Sequence, residues 1–146
     1  MAASYRIEHR VPTPEEYRRL CEDVGWGAVL NFDAAPASLA ASLHAVVAVD
    51  AGAHVVGMGR VVGDGAVYFY VQDVAVVQEL QGRGLGAAIL DALVEWLAGH
   101  APPQAFVGLF AAAGTEAFYR RFGFEVHAGL TGMFRTTPIE REFTKP

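Results

Sequence analysis

Gln81-Gly82-Arg83-Gly84-Leu85-Gly86 stands between a long apolar β-type run that ends at Val77 and a helix-patterned run that begins near Leu85. A glycine-rich turn from strand to helix leaves backbone N–H groups unpaired at the positive end of the helix dipole, and such a cluster holds phosphate. Side chains at Gly82, Gly84 and Gly86 would obstruct a close approach, so the main-chain amides from Gln81 to Ala87 are the expected donors. Arg83 is either a charge partner for the anion or a solvated side chain. Gln72 and Asp73 interrupt the preceding apolar run. A carboxylate there is costly to bury unless it is paired, hydrated or facing a site, so Asp73 is read either as a site residue or as the partner of an arginine. In a flat strand its side chain points opposite to those of Gln72 and Val74, and a bulge would change that.

Competing chemistries leave weaker traces. Gly82-Arg83-Gly84-Leu85-Gly86-Ala87 also fits the dinucleotide pattern G-x-G-x-x-G/A, but that reading requires an acid at the end of the next strand, where Ala111-Ala112-Ala113 stands instead. His9, His44, His54, His100 and His127 have no metal-ligand spacing, and no metal is assigned. No Gly-x-Ser-x-Gly elbow exists and no serine follows Ser42, which argues against a serine hydrolase. Cys21 is the one cysteine; it has no activating partner and excludes an internal disulfide framework.

The elements that must position these residues can be read from pattern. With 146 residues the chain fits one domain, residues 1–146, with 137–146 as a C-terminal tail. A strand is expected within Tyr5–Val11, then a helix from Thr13-Pro14 to about Val24 and a short helix around Ala37–Leu43. Three β-rich runs follow, His44–Asp50, His54–Val62 and Ala66–Val77, joined by hairpin-type turns into an antiparallel meander. Leu85, Ile89, Ala92, Leu93 and Trp96 recur at helical spacing, so a crossover helix leads to a parallel strand at Ala105–Phe110. A short helix over Thr115–Phe122 and terminal strands at Phe124–His127 and Met133–Arg135 complete the expectation.

The formal net charge of −5 gives no general attraction to nucleic acid or anionic membrane, so neither is an expected partner. The N-terminus lacks a signal-peptide apolar region and no run approaches membrane-spanning length; the expected localisation is cytoplasmic.

A long strand with polar residues in its middle, a phosphate-type turn after it, and a later helix carrying Tyr119 together resemble the GNAT superfamily of acyl-CoA N-acyltransferases. Gln81, Gly84 and Gly86 meet its signature, preceded by Val74-Ala75-Val76, and Ala117-Phe118-Tyr119-Arg120-Arg121-Phe122-Gly123-Phe124 looks like its second segment. The resemblance implies a single α/β domain with a mixed, mainly antiparallel sheet, N-terminal helices on one side and the crossover helix packed on the sheet. It implies acetyl-CoA as acyl donor, held by Gln81, Gly82, Arg83, Gly84, Leu85, Gly86 and Ala87, with its arm paired to the backbone of Val74, Ala75 and Val76 as an added pseudo-strand. Tyr119 becomes the general acid, Asp73 the favoured base, and an N–H of Val76, Val74 or Ala75 the oxyanion donor. Trp26, Tyr70 and Gln72 are the expected acceptor contacts, with Phe32 and Tyr68 as further candidates. Many relatives carry an asparagine where this chain has Ala112. The implied function is transfer of acetyl to a primary amine, small molecule or peptide, by direct attack in a ternary complex; the alternative is a CoA-binding sensor without turnover. A homodimer is left open.

Overall fold

The structure is a computed structural model and describes residues 4–139. Strand β1 (Arg6–Glu8) leads to helix α1 (Pro14–Asp23), whose start is fixed locally. Thr13 Oγ1 accepts from the Glu16 amide at 3.1 Å and the Glu16 carboxylate accepts from the Thr13 amide at 2.8 Å, a reciprocal cap with Pro14 in the first turn. Arg10 grips the same carboxylate at 2.8 and 3.1 Å and holds its pKa down to about 2. Tyr17, Leu20 and Cys21 form the buried stripe of α1. Helix α2 (Ala35–Ala40) begins earlier than the sequence pattern suggests, because Pro36 sits in its first turn, where a missing N–H is harmless.

Strands β2 (His44–Val49), β3 (Val55–Gly63) and β4 (Tyr68–Val76) form the antiparallel meander, and β5 (Phe106–Gly108) joins β4 in parallel after the crossover helix α3 (Leu85–His100). The sheet order is β1-β2-β3-β4-β5, a mixed and mainly antiparallel α/β architecture as expected. Leu20, Cys21, Val47 and Met58 pack between α1 and one face. Val46, Phe69, Ile89, Leu90 and Leu93 pack between α3 and the other. Glycines let α3 approach: a Cβ on Gly57 or Gly59 would lie 2.7 Å or 2.8 Å from Ile89. Helix α4 (Glu116–Arg120) follows β5.

Two expected elements are absent. Phe124–His127 and Met133–Arg135 carry no strand, and the described sheet ends at β5. A strand there needs a ladder partner and a buried face, yet β5 is only three residues long, and Val126 (74%), Met133 (86%) and Phe134 (83%) are exposed. Of the expected tail, residues 140–146 lie outside the described residues. The histidines, dispersed in sequence, partly converge: His9 Nδ1 lies 3.0 Å from His44 Nε2, and His44 and His100 stack on either side of Trp96. Among the described residues, no helix is long and apolar enough to cross a membrane, and no three metal-type side chains gather.

Candidate active site

The centre of β4 is irregular. Met58 pairs with Ala75 and Arg60 with Gln72, so Gly59 alone opposes two residues, Asp73 and Val74. This is a β-bulge, with Asp73 in the left-handed region at φ 56°. Its consequence is a change of phase: Phe69 and Val71 face α3 before the bulge, Val74 and Val76 after it. Asp73 thereby turns toward α1, where its Oδ2 accepts from Arg60 Nε at 2.8 Å and from the Tyr17 hydroxyl at 3.3 Å. Arg60 also donates to Ser38 O, Ser42 Oγ and Ser38 Oγ. The carboxylate thus has the arginine partner that the sequence left as one alternative, while Oδ1 has none. Among the described residues no unpartnered side-chain oxygen or nitrogen is fully enclosed, and the Asp73 side chain keeps 14% exposure. The sequence carried a signal for this pair: Arg60 is the only charged residue in β3, and folding about the Gly63–Gly65 turn brings it opposite Gln72-Asp73.

β4 and β5 separate beyond the pair Tyr70–Gly108. The edge of β4 from Val71 onward therefore has no neighbour in the described sheet. Val77 donates its amide to Val56 O on β3, so by strand alternation the Val76 peptide groups point the other way, into the opened seam. The Val76 carbonyl accepts from Gln81 Nε2 at 3.0 Å, leaving the Val76 N–H as the free group. By the same alternation Ala75, opposite Met58, turns its amide to β3 and is a poorer donor than Val76.

After a 3₁₀ turn at Gln78–Leu80, the chain passes through Gly82 at φ 78° and Gly84 at φ 84° into α3. No protein atom lies within 4 Å of a Cβ built on either glycine. Their hydrogen is thus required by backbone conformation as well as by the closeness of any ligand. The amides of Gly82 through Ala87 have no hydrogen-bond partner in the described chain. Leu85 is buried in the core, whereas Arg83 is exposed and has no ion pair among the described residues. Phe118 of α4 approaches the turn, its Cζ 3.7 Å from a Cβ on Gly86, and so ties the next helix to this corner.

Tyr119 on α4 is wedged edge-on against Phe118 and Phe124. Burial pushes its phenol pKa above the ordinary value, so the hydroxyl stays protonated, and it makes no hydrogen bond among the described residues. A cleft of about 360 Å³ brings together Tyr119, Gln72, Asp73, Val74 and Trp26. Tyr70 does not line it: the ring precedes the bulge and leans on Phe106, 5.8 Å between centroids. Phe32 packs on Tyr17 and Tyr68 on Phe106 instead. Val29, Leu30 and Phe110, not singled out from the sequence, complete much of the apolar wall, and Ala112 and Thr115 add to it. Loop residues such as these carry no periodic signal; only the fold assembles them. Cys21 is fully buried, and burial reinforced by Asp73 raises its thiol pKa to about 11, which keeps it unreactive.

The open edge of β4 leads into a glycine turn with unpaired amides, and the cleft beside the bulge holds a protonated tyrosine. A model of the family described as Acetyltransferase (GNAT) domain matches residues 41–126. The chain belongs to the GNAT acetyltransferases, a family of acyl-CoA-dependent acyltransferases. It is similar to a solved protein of unknown function from meticillin-resistant Staphylococcus aureus described as a probable acetyltransferase, with TM-score 0.84 and 27% identity over 92% of this chain and 100% of that one. A GNAT-family acetyltransferase from Streptococcus pneumoniae has TM-score 0.75 and 30% identity, covering 93% and 100%. Histone acetyltransferase TAP1 from Glycine max is 31% identical over 132 residues, 82% of this chain and 55% of that one, so the chain spans about half the length of this relative.

Proposed function

We propose that the protein transfers acetyl from acetyl-CoA to a primary amine by direct attack within a ternary complex. The amides of Gly82 through Ala87 form the cradle for the diphosphate, with the guanidinium of Arg83 beside it. The open edge of β4 accepts the amide-bearing arm as an added strand, and the Val76 N–H stabilises developing negative charge on the reacting carbonyl oxygen. Acetyl-CoA, when bound, supplies an acetyl thioester, whose carbonyl carbon forms the new amide bond as its bond to sulfur breaks. Asp73 Oδ1 takes the proton that the amine nitrogen sheds, directly or through water. Tyr119 donates its hydroxyl proton to the departing sulfur and regains one from solvent, and Asp73 releases the amine's proton to solvent, which leaves both residues as they began.

The observations that carry this reading are a free strand amide at the open edge of β4, unpaired turn amides after it, and a tyrosine hydroxyl in the cleft that Gln72, Asp73 and Val74 line. A thiol-release assay with acetyl-CoA and an amine panel tests it. Amine-dependent release is expected, and Tyr119→Phe should lower kcat by roughly 100-fold or more while CoA binding persists. No release with any amine, or full activity of Tyr119→Phe, refutes the proposal.

A further inference from the structure

We infer that the acceptor is a monoamine on an apolar body, an aryl or branched alkyl group close to the nitrogen, selected by Trp26, Val29, Leu30 and Phe110. The inference rests on the proposed acyl transfer and concerns the acceptor half of the same cleft. Its polar side-chain groups are few: the Gln72 amide, Asp73 Oδ1, the Tyr119 hydroxyl and the Trp26 indole N–H, none bonded to protein among the described residues, and the Thr115 hydroxyl, which donates to Ala112 O. Asp73 is the only ionisable carboxylate in the lining, and Arg60 at 2.8 Å offsets its charge. The cleft thus offers one anchoring point for one nitrogen and no second anion for a further ammonium.

Three acids of the chain gather in a second hollow, together with Arg19 and His54. They are Asp23, Asp50 and Glu79, and the hollow lies between α1 and the β2–β3 turn. There Asp23 accepts from the Gln78 amide and Asp50 from its own turn amides. The net charge of −5 therefore says nothing in favour of a polycationic acceptor at the reacting cleft.

Much of the remaining wall is apolar and uncovered. Val29 is 80% and Phe110 60% exposed, a state that large apolar groups adopt beside one another chiefly where something apolar covers them. The wall is also built rather than loose. The Trp26 amide donates to Cys21 O at the end of α1, and the Val29 amide donates to Trp26 O, so the loop presents these side chains from a bonded turn. Phe110 is backed by the chain at Gly132, where a Cβ would press on the ring. An amine whose carbon frame fills this wall gains contact there, whereas a diamine of similar reach places a second charge against Val29 or Phe110.

The test compares 2-phenylethylamine and 2-cyclohexylethylamine with 1,4-diaminobutane and a lysine-containing basic peptide. Two readouts are taken: kcat/KM with acetyl-CoA, and calorimetric binding of each amine to protein saturated with desulfo-CoA. The apolar amines are expected to lead by at least tenfold in both, equivalent to about 1.4 kcal/mol. Val29→Glu, at a position exposed enough to spare the fold, should narrow that ratio at least tenfold. Equal or better use of the diamine or the basic peptide overturns the inference, as does an unchanged ratio in Val29→Glu. If no amine is turned over, the acyl-transfer proposal fails by itself. The binding order then decides the acceptor class: tighter apolar amines support it, and equal or tighter binding of the diamine, or no apolar-amine binding, overturns it.

Discussion

Replacing Arg60 by methionine removes the Asp73 contact at 2.8 Å and three further donations to Ser38 and Ser42. The Asp73 carboxylate is then left with the Tyr17 hydroxyl at 3.3 Å as its one protein donor. Breaking a buried pair by removing one partner costs about 3–5 kcal/mol. Asp73 keeps 14% side-chain exposure, which places the expectation at the lower end. A loss of about 3 kcal/mol corresponds to a fall in Tm of roughly 10 °C at this chain length. Adding Asp73→Asn removes the stranded charge, so the double variant should recover about 1–2 kcal/mol relative to Arg60→Met. Urea denaturation of the four proteins in a double-mutant cycle measures both terms, with unchanged m-values as the check on two-state behaviour. Turnover separates strut from base: the double variant should regain stability without regaining kcat. A cost below about 1 kcal/mol for Arg60→Met, or additive single losses, would refute the view that this pair holds the bulge.

Gly84→Ala probes the turn. The new Cβ meets no protein atom within 4 Å, so the fold pays only the left-handed strain, about 1–2 kcal/mol. The Kd for CoA should rise roughly tenfold as the amides are re-aimed; an unchanged calorimetric Kd would dissociate the turn from cofactor binding. Glu16→Gln tests the linkage at α1. With its folded pKa depressed to about 2 by Arg10, Glu16 stabilises the protein above the unfolded carboxyl pKa and loses that contribution as pH falls toward 2. Denaturation midpoints of wild type and variant should therefore converge between about pH 4 and pH 2, and parallel profiles would exclude the assignment.

Much of this molecule was legible because it is written in neighbouring residues. Thr13, Pro14 and Glu16 specify a helix start through bonds spanning three positions. Gly82 and Gly84 announce a turn because few other residues accept a positive φ, and the free amides follow from the helix start beside them. The apolar spacing of Leu85, Ile89 and Leu93 describes one face of α3 regardless of what covers it. The errors also had local causes. The expected helix around Ala37–Leu43 starts at Ala35 instead, because Pro36 belongs to its first turn. The apolar steps at Phe124–His127 and Met133–Arg135 mimic strands whose ladder partner the described sheet does not supply.

The sequence by itself determined the phosphate-type turn, the crossover helix and the tyrosine that follows it, since each depends on backbone preferences and periodicities within a few residues. Only the tertiary structure decided the phase of β4, the arginine that claims Asp73, the choice of Val76 over Ala75 as free donor, and the union of Trp26, Leu30 and Phe110 in one wall. A bulge arises from the register between two strands, and a cleft from loops brought together by packing. Neither is encoded in the spacing of residues along one segment, because each depends on which distant groups the folded chain sets side by side.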